Sequence, residues 1–143
     1  MKEKFIKYYM AIAEETSKLS SAKRLQVGCI AVKNGRIIAE GYNGTPSGWD
    51  NNCEYEIDGK LVTKDETIHS EINLICKLAK STDSSHGATV FITHSPCMEC
   101  SKAIYQSGIE TVIYKNKFRS EDGINFLKKC NVNVLNYSEV VNV

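Results

Sequence analysis

The sequence predicts an α/β architecture: a three-layer α-β-α sandwich with a five-stranded mixed sheet. Three observations carry that expectation. An Asn34-Gly35 pair sits early in the chain between two apolar runs, and a type I′ turn needs positive φ at both its central positions. Later, short apolar runs alternate with helix-period stretches, which is the pattern of parallel strands joined by right-handed crossover helices. The length of 143 residues, with 42% hydrophobic and 24% charged residues, suits one soluble domain covering residues 1–143.

Residues 2–19 place Phe5, Ile6, Tyr9, Ile12, Ala13, Thr16 and Leu19 on one helical stripe, with Lys and Glu opposite. This helix should cover one face of the sheet. Residues 20–25 break the pattern with small residues followed by Lys23 and Arg24. Val27 to Val32 and Arg36 to Gly41 form the two arms of the early hairpin. The next stretch, Gly41-Tyr42-Asn43-Gly44-Thr45-Pro46-Ser47-Gly48-Trp49, is a turn-rich loop by its Gly, Asn and Pro content. Residues 51–66 are polar, with a turn at Asp58-Gly59, and read as a loop or small flap.

A helix from His69 to about Lys80 should bury Ile72, Ile75, Cys76 and Ala79. Residues 81–87 are a surface connection, with His86 exposed. Residues 88–93 form a strand, and a helix runs from Pro96 to about Ser107, capped by Gly108. Residues 111–114 form the next strand, residues 120–130 a helix and residues 132–135 the last strand. The sequence carries no internal repeat, low-complexity segment or domain linker.

The net charge of +1 at pH 7 supplies no global field of the kind that gathers nucleic acid. There is no signal-peptide pattern, and no apolar run approaches a membrane span. The six cysteines are Cys29, Cys53, Cys76, Cys97, Cys100 and Cys130. Most of those outside the motif described next sit in apolar contexts, where a free Cys behaves as a small buried hydrophobe. A reducing cytoplasm is the expected location.

The chemistry is concentrated in two short stretches, His69-Ser70-Glu71 and Pro96-Cys97-Met98-Glu99-Cys100. Together they offer three ligands suited to zinc, His69, Cys97 and Cys100, and one carboxylate not needed as a ligand. A catalytic zinc keeps three protein ligands and leaves one position open, whereas a structural zinc is closed by a fourth. Zinc can lower the pKa of bound water from about 15.7 to around 7, and a carboxylate beside it can move protons. Glu71 follows His69 into the first turn of its helix, and Cys97 and Cys100 at i, i+3 should share a face of the second. Two helix N-termini aimed at one ion would help keep both thiolates ionised. A redox Cys-x-x-Cys pair leaves His69 and Glu71 unexplained. A structural zinc needs another ligand, for which His94 is the nearest candidate, although a position in the pocket wall suits His94 better. One zinc per chain is expected, because Cys53 alone cannot build a second site between the glycine-rich loop and His69.

The His-x-Glu and Pro-Cys-x-x-Cys pair is the signature of zinc-dependent nucleobase deaminases. The wider pattern resembles the deoxycytidylate deaminase family within the cytidine deaminase-like enzymes, over about residues 20–134. The resemblance also rests on Arg24-Leu25-Gln26-Val27-Gly28, on the Gly41 to Gly48 loop and on Thr93-His94-Ser95. It implies hydrolysis of dCMP to dUMP and ammonia, with His69, Cys97 and Cys100 on zinc and Glu71 shuttling protons. It further implies Asn43 at the deoxyribose, the backbone around Ser95 at the 4-amino group, and Arg24 with Lys23 at the 5′-phosphate. Phe118, where relatives usually carry Tyr, is a stacking candidate. By the same resemblance the protein is a homo-oligomer, commonly a hexamer, activated by dCTP and inhibited by dTTP bound with Mg²⁺. Gly41, Tyr42, Gly44 and Trp49 are the candidate effector residues. Ser70 replaces the usual Ala and should simply be tolerated, while the basic run from Lys115 to Arg119 suggests additional phosphate contacts. The rival readings are a dCMP/dCTP deaminase, a deaminase of tRNA adenosine, guanine, cytidine or a riboflavin precursor, and a catalytically silent nucleotide-sensing module.

Overall fold

The structure is a computed structural model and describes residues 1–142; Val143, the last residue of the expected domain, lies outside the described residues. Seven strands and five helices follow in the order α1 (Glu3–Ser17), β1 (Gly28–Lys33), β2 (Arg36–Tyr42), β3 (Glu54–Ile57), β4 (Lys60–Thr63), α2 (Ser70–Ala79), β5 (Thr89–His94), α3 (Met98–Gln106), β6 (Thr111–Asn116), α4 (Asp122–Lys129), β7 (Asn133–Asn136) and α5 (Tyr137–Val140). Five of the strands form one mixed sheet in the order β2-β1-β5-β6-β7. β1 lies antiparallel to both β2 and β5, whereas β5, β6 and β7 run parallel. Asn34 and Gly35 take φ of 51° and 72°, the positive values that the hairpin turn requires.

Strand alternation divides the core into two layers. Ile30, Val32, Phe91 and Ile113 face α1 and the short α5, against Ile6, Tyr9, Met10, Ala13 and Val141. Cys29, Ala31, Val90, Ile92, Val112 and Tyr114 face the other way, against Leu74, Leu78, Ile104, Ile124 and Leu127 of α2, α3 and α4. These two faces make the sheet the middle layer of the expected sandwich.

Several local expectations need correction. In α1 the buried stripe is Ile6, Tyr9, Met10, Ala13 and Thr16, while Phe5 and Leu19 are exposed. In α2 the buried positions are Ser70, Glu71, Leu74 and Leu78; Cys76 and Ala79 face solvent. The phase of α2 follows Glu71, and Leu74 and Leu78 succeed it at helical spacing on the interior side. Cys29 is buried as expected of an apolar thiol; Cys53 is buried too, although its segment 51–66 is polar, and Cys130 is half-buried. Cys97 is the N-cap of α3, so only Cys100 lies within the helix. The segment 51–66 contains an ordered hairpin of β3 and β4, with φ of 50° at Asp58 and 77° at Gly59. That hairpin is a two-stranded sheet of its own. Helix α5, absent from the sequence reading, begins at Asn136, whose side-chain Oδ1 accepts from the Ser138 amide.

Candidate active site

The site forms where β5 ends and α2 and α3 begin. Gly41 lets α2 approach: a Cβ there would lie 2.8 Å from Leu74 N and closer still to the Ser70 carbonyl oxygen. The bridge between Gly44 and Ile68, with N–H···O distances of 3.0 and 2.7 Å, then fixes the backbone just before His69. His69 is the N-cap of α2, and Cys97 is the N-cap of α3. Both ligand candidates therefore sit at helix N-termini, where the free N–H groups and the helix dipole favour negative charge.

His69, Cys97 and Cys100 converge, with their donor atoms all within 4.8 Å of one another. His69 Nδ1 is 3.3 Å from Cys100 Sγ and 3.6 Å from Cys97 Sγ. A tetrahedral zinc with Zn–N near 2.0–2.1 Å and Zn–S near 2.3 Å separates nitrogen and sulfur by roughly 3.5 Å. The donor set and its spacing therefore fit zinc. His94 is not in this cluster; its Nδ1 lies 2.9 Å from Thr93 Oγ1 and its ring meets Phe118 edge-on. Hydrogen bonds from Cys100 and then His69 draw the pKa of the Cys97 thiol far below its ordinary value. Cys100 is pushed up, first by its hydrogen bond to Cys97 and then by burial.

Glu71 is 5% exposed and lies in the first turn of α2. Burial raises its pKa above the ordinary carboxylate value, opposed mainly by the hydrogen bond from Ser70. Ser70 Oγ donates to Glu71 Oε1 at 2.7 Å. The serine that the sequence reading treated as a tolerated replacement thus orients the acid.

A cavity of about 550 Å³ opens over these groups. His69, Glu71, Cys97, Ser95, Asn43, Arg24 and Phe118 all line it. Asn43 is held rigidly: its Oδ1 accepts from Val27 N and its Nδ2 donates to the Leu25 carbonyl, both at 2.8 Å. The Ser95 amide donates to the Asn116 carbonyl at 2.8 Å, and Ser95 Oγ accepts from Phe118 N at 2.9 Å. Phe118 is partly exposed at the rim, with the Arg119 guanidinium 4.8 Å from its ring centroid.

Lys23 lines a separate, more open hollow with Arg24 and contributes no lining to the main cavity. Gly41, Tyr42, Gly44 and Trp49 also lie outside its lining. Gly41 packs against α2, Gly44 pairs its backbone with Ile68, Lys77 Nζ sits 5.7 Å from the centroid of the Tyr42 ring, and Trp49 is exposed.

The structure adds residues that sequence reasoning did not single out. Glu54, Thr63 and Thr67 bring the β3–β4 hairpin and its exit into the cavity wall, and Arg119 and Gly123 line it as well. Of the three basic side chains in the run after Tyr114, Lys115, Lys117 and Arg119, Arg119 alone lines the cavity. Lys115 pairs with Glu14 at 2.9 Å, and Lys117 pairs with Glu121 at 2.7 Å. Arg119 stood in that run, and its position after Phe118 was the available signal. Glu54 gave none, because a lone Glu in a polar segment looks like surface.

Comparison with known proteins agrees with this geometry. Residues 3–116 match the family model described as the cytidine and deoxycytidylate deaminase zinc-binding region. The chain is 32% identical over 181 residues to the deoxycytidylate deaminase of Enterobacteria phage T4, covering 92% of this chain and 94% of that one. It is 36% identical over 116 residues to ComE operon protein 2 of Bacillus subtilis, covering 79% of this chain but spanning only 60% of that protein. A crystal structure of the dCMP deaminase from cyanophage S-TIM5, in complex with dCMP and dUMP, superposes with a TM-score of 0.90. Its sequence is 47% identical, and the match covers 95% of this chain and 98% of that one.

Proposed function

The chain belongs to the cytidine and deoxycytidylate deaminase family, and from that premise we propose that it hydrolyses dCMP to dUMP and ammonia, supplying dUMP for thymidylate synthesis. The observation that carries the reading is one cavity bringing a His/Cys/Cys donor set and a buried, non-ligating carboxylate together with a rim arginine. His69, Cys97 and Cys100 would hold one zinc ion, which would supply a nucleophile from water near neutral pH.

Glu71 accepts a proton from the attacking water and delivers it to ring N3 as the C4–O bond forms. It then passes the second proton to the amino group, the C4–N bond breaks, ammonia leaves and the 4-oxo product remains. Burial, which raises the Glu71 pKa, suits a group that must both take and give a proton. Asn43 borders the deoxyribose, the backbone around Ser95 receives the 4-amino group, and Phe118 flanks the nucleotide. Arg24, joined by Arg119 from the same cavity's lining, meets the 5′-phosphate; Lys23, outside that lining, adds only a supporting charge.

The finer features follow the same reading. The protein is a cytoplasmic homo-oligomer, and the exposed Phe5, Tyr8 and Trp49 supply apolar surface for assembly. Effector binding by dCTP or dTTP with Mg²⁺ involves the Gly41 to Trp49 loop. No helix among the described residues is long and apolar enough to cross a membrane.

Ammonia release measured with dCMP, dCTP, cytidine, guanine and tRNA, with and without dCTP and dTTP, tests the proposal. Turnover of dCMP well above the other substrates is expected. Absence of dCMP turnover by the zinc-loaded protein refutes it, and tight dCMP binding without turnover would favour the silent sensor.

A further inference from the structure

Glu54 opens β3 and is 3% exposed, yet its carboxylate forms no salt bridge among the described residues. Its Oε2 accepts two consecutive backbone N–H groups, from Lys23 at 2.9 Å and from Arg24 at 3.0 Å. Successive amides aimed at one point form a small anion-binding nest. Here the chain fills that nest with its own carboxylate. Glu54 Oε1 is buried and has no hydrogen-bond partner among the described residues. A buried acceptor left unsatisfied costs stability, so the side chain is held here for what its other oxygen does.

What that oxygen holds is the turn carrying Arg24. The same turn is tied on its far side by Asn43, through Leu25 O and Val27 N. A third tie comes from Arg24 Nη1, which donates to Thr63 Oγ1 on β4 at 3.1 Å. The hairpin therefore grips Arg24 twice, by its backbone at Glu54 and by its guanidinium at Thr63. Both gripping residues line the cavity with Arg24 itself.

We propose that Glu54, seated in the Lys23–Arg24 amide nest and aided by Thr63, is the positioning residue that aims Arg24 at the substrate's 5′-phosphate. The β3–β4 hairpin thereby sets the preference for a nucleoside monophosphate over a nucleoside. This inference rests on the proposed dCMP reading and on Arg24 as a phosphate contact. Glu54 itself need touch neither the base nor the phosphate. With the Arg24–phosphate contact taken as made equally in the ground and transition states, its loosening raises KM and leaves kcat in place.

The test is steady-state kinetics of the zinc-loaded protein on dCMP and deoxycytidine, with zinc content and melting temperature measured alongside. Glu54→Ala is expected to raise KM for dCMP by about 10- to 100-fold, as for loss of a charge-assisted hydrogen bond. It should keep kcat within about threefold and leave the deoxycytidine kcat/KM unaltered. Glu54→Gln, whose amide oxygen can accept the same two N–H groups, is expected to restore KM to within a few-fold. Thr63→Val, a milder change at the second tie, should raise KM several-fold and serves if Glu54→Ala does not fold. The inference is overturned if Glu54→Ala leaves KM for dCMP unchanged. It is equally overturned if that variant loses activity on both substrates in parallel with zinc or melting temperature, or if Glu54→Gln is as impaired as Glu54→Ala. A wild-type protein that turns over no dCMP defeats the proposed function instead, and this inference with it.

Discussion

Replacing Gly123 with alanine probes how tightly the candidate metal ligands are held from behind. Gly123 lies in the first turn of α4, against the start of α3. A Cβ built on it would stand 2.6 Å from Ser101 Oγ and 2.8 Å from the Cys97 carbonyl carbon, and nearer still to the Pro96 carbonyl oxygen. Real Cβ contacts essentially never fall under 3.0 Å, so the serine contact alone requires a shift of 0.4 Å (3.0 less 2.6) and Pro96 requires more. Ser101 is fully buried, and the other obstacles are backbone, so the strain passes into Pro96 and Cys97. Overpacking of this kind costs about 1–3 kcal/mol, or a melting temperature lower by about 3–10 °C. Moving a ligand-bearing backbone by an appreciable fraction of an ångström should also cost roughly 10- to 100-fold in kcat. Zinc content by elemental analysis, a thermal melt and dCMP turnover read the three consequences separately. A Gly123→Ala protein with wild-type zinc, melting temperature and kcat would show that α4 does not buttress the Cys97 corner.

Glu71→Gln should retain zinc while turnover falls by at least about 100-fold, measured as ammonia release against metal content. Unchanged turnover would remove Glu71 from the chemistry. Arg24→Gln should raise KM for dCMP by about 10-fold or more without altering kcat/KM for deoxycytidine; equal losses on both substrates would place Arg24 in the scaffold. Leu74→Ala should cost about 2–5 kcal/mol in chemical denaturation and Cys76→Ser less than about 0.5 kcal/mol, a contrast that reports the phase of α2 directly. Stripping zinc with a chelator should lower the melting temperature by about 5 °C or more, and adding zinc back should restore it. A melt indifferent to both treatments would mean that the three donors hold no ion.

Much of this arrangement could be read from the chain because its signals are local. Asn34-Gly35 specifies a turn by backbone conformation alone, and short continuous apolar runs specify which strands are buried on both faces. The metal motif is legible for a similar reason, since His69 and Glu71 share one helix start and Cys97 and Cys100 another. What escaped depended on contacts between distant segments. The burial phase of α2 is decided by Glu71 turning inward, so hydrophobicity alone misplaced Cys76 and Ala79. Lys115 and Lys117 looked available for phosphate until Glu14, about a hundred residues earlier, and Glu121 were found beside them. Glu54 was unreadable because its partners are the backbone amides of Lys23 and Arg24, and a main-chain donor leaves no mark on a sequence.

The β3–β4 hairpin shares no ladder with the sheet that carries the helices bearing His69, Glu71, Cys97 and Cys100. Lengthening, trimming or exchanging residues 54–63 therefore leaves the strand pairings beneath the reaction centre in register. If Glu54 and Thr63 aim Arg24 as proposed, natural variation, or a designer, has in that short ribbon a place to retune which molecules are accepted, while the machinery that cuts the carbon–nitrogen bond is inherited unaltered.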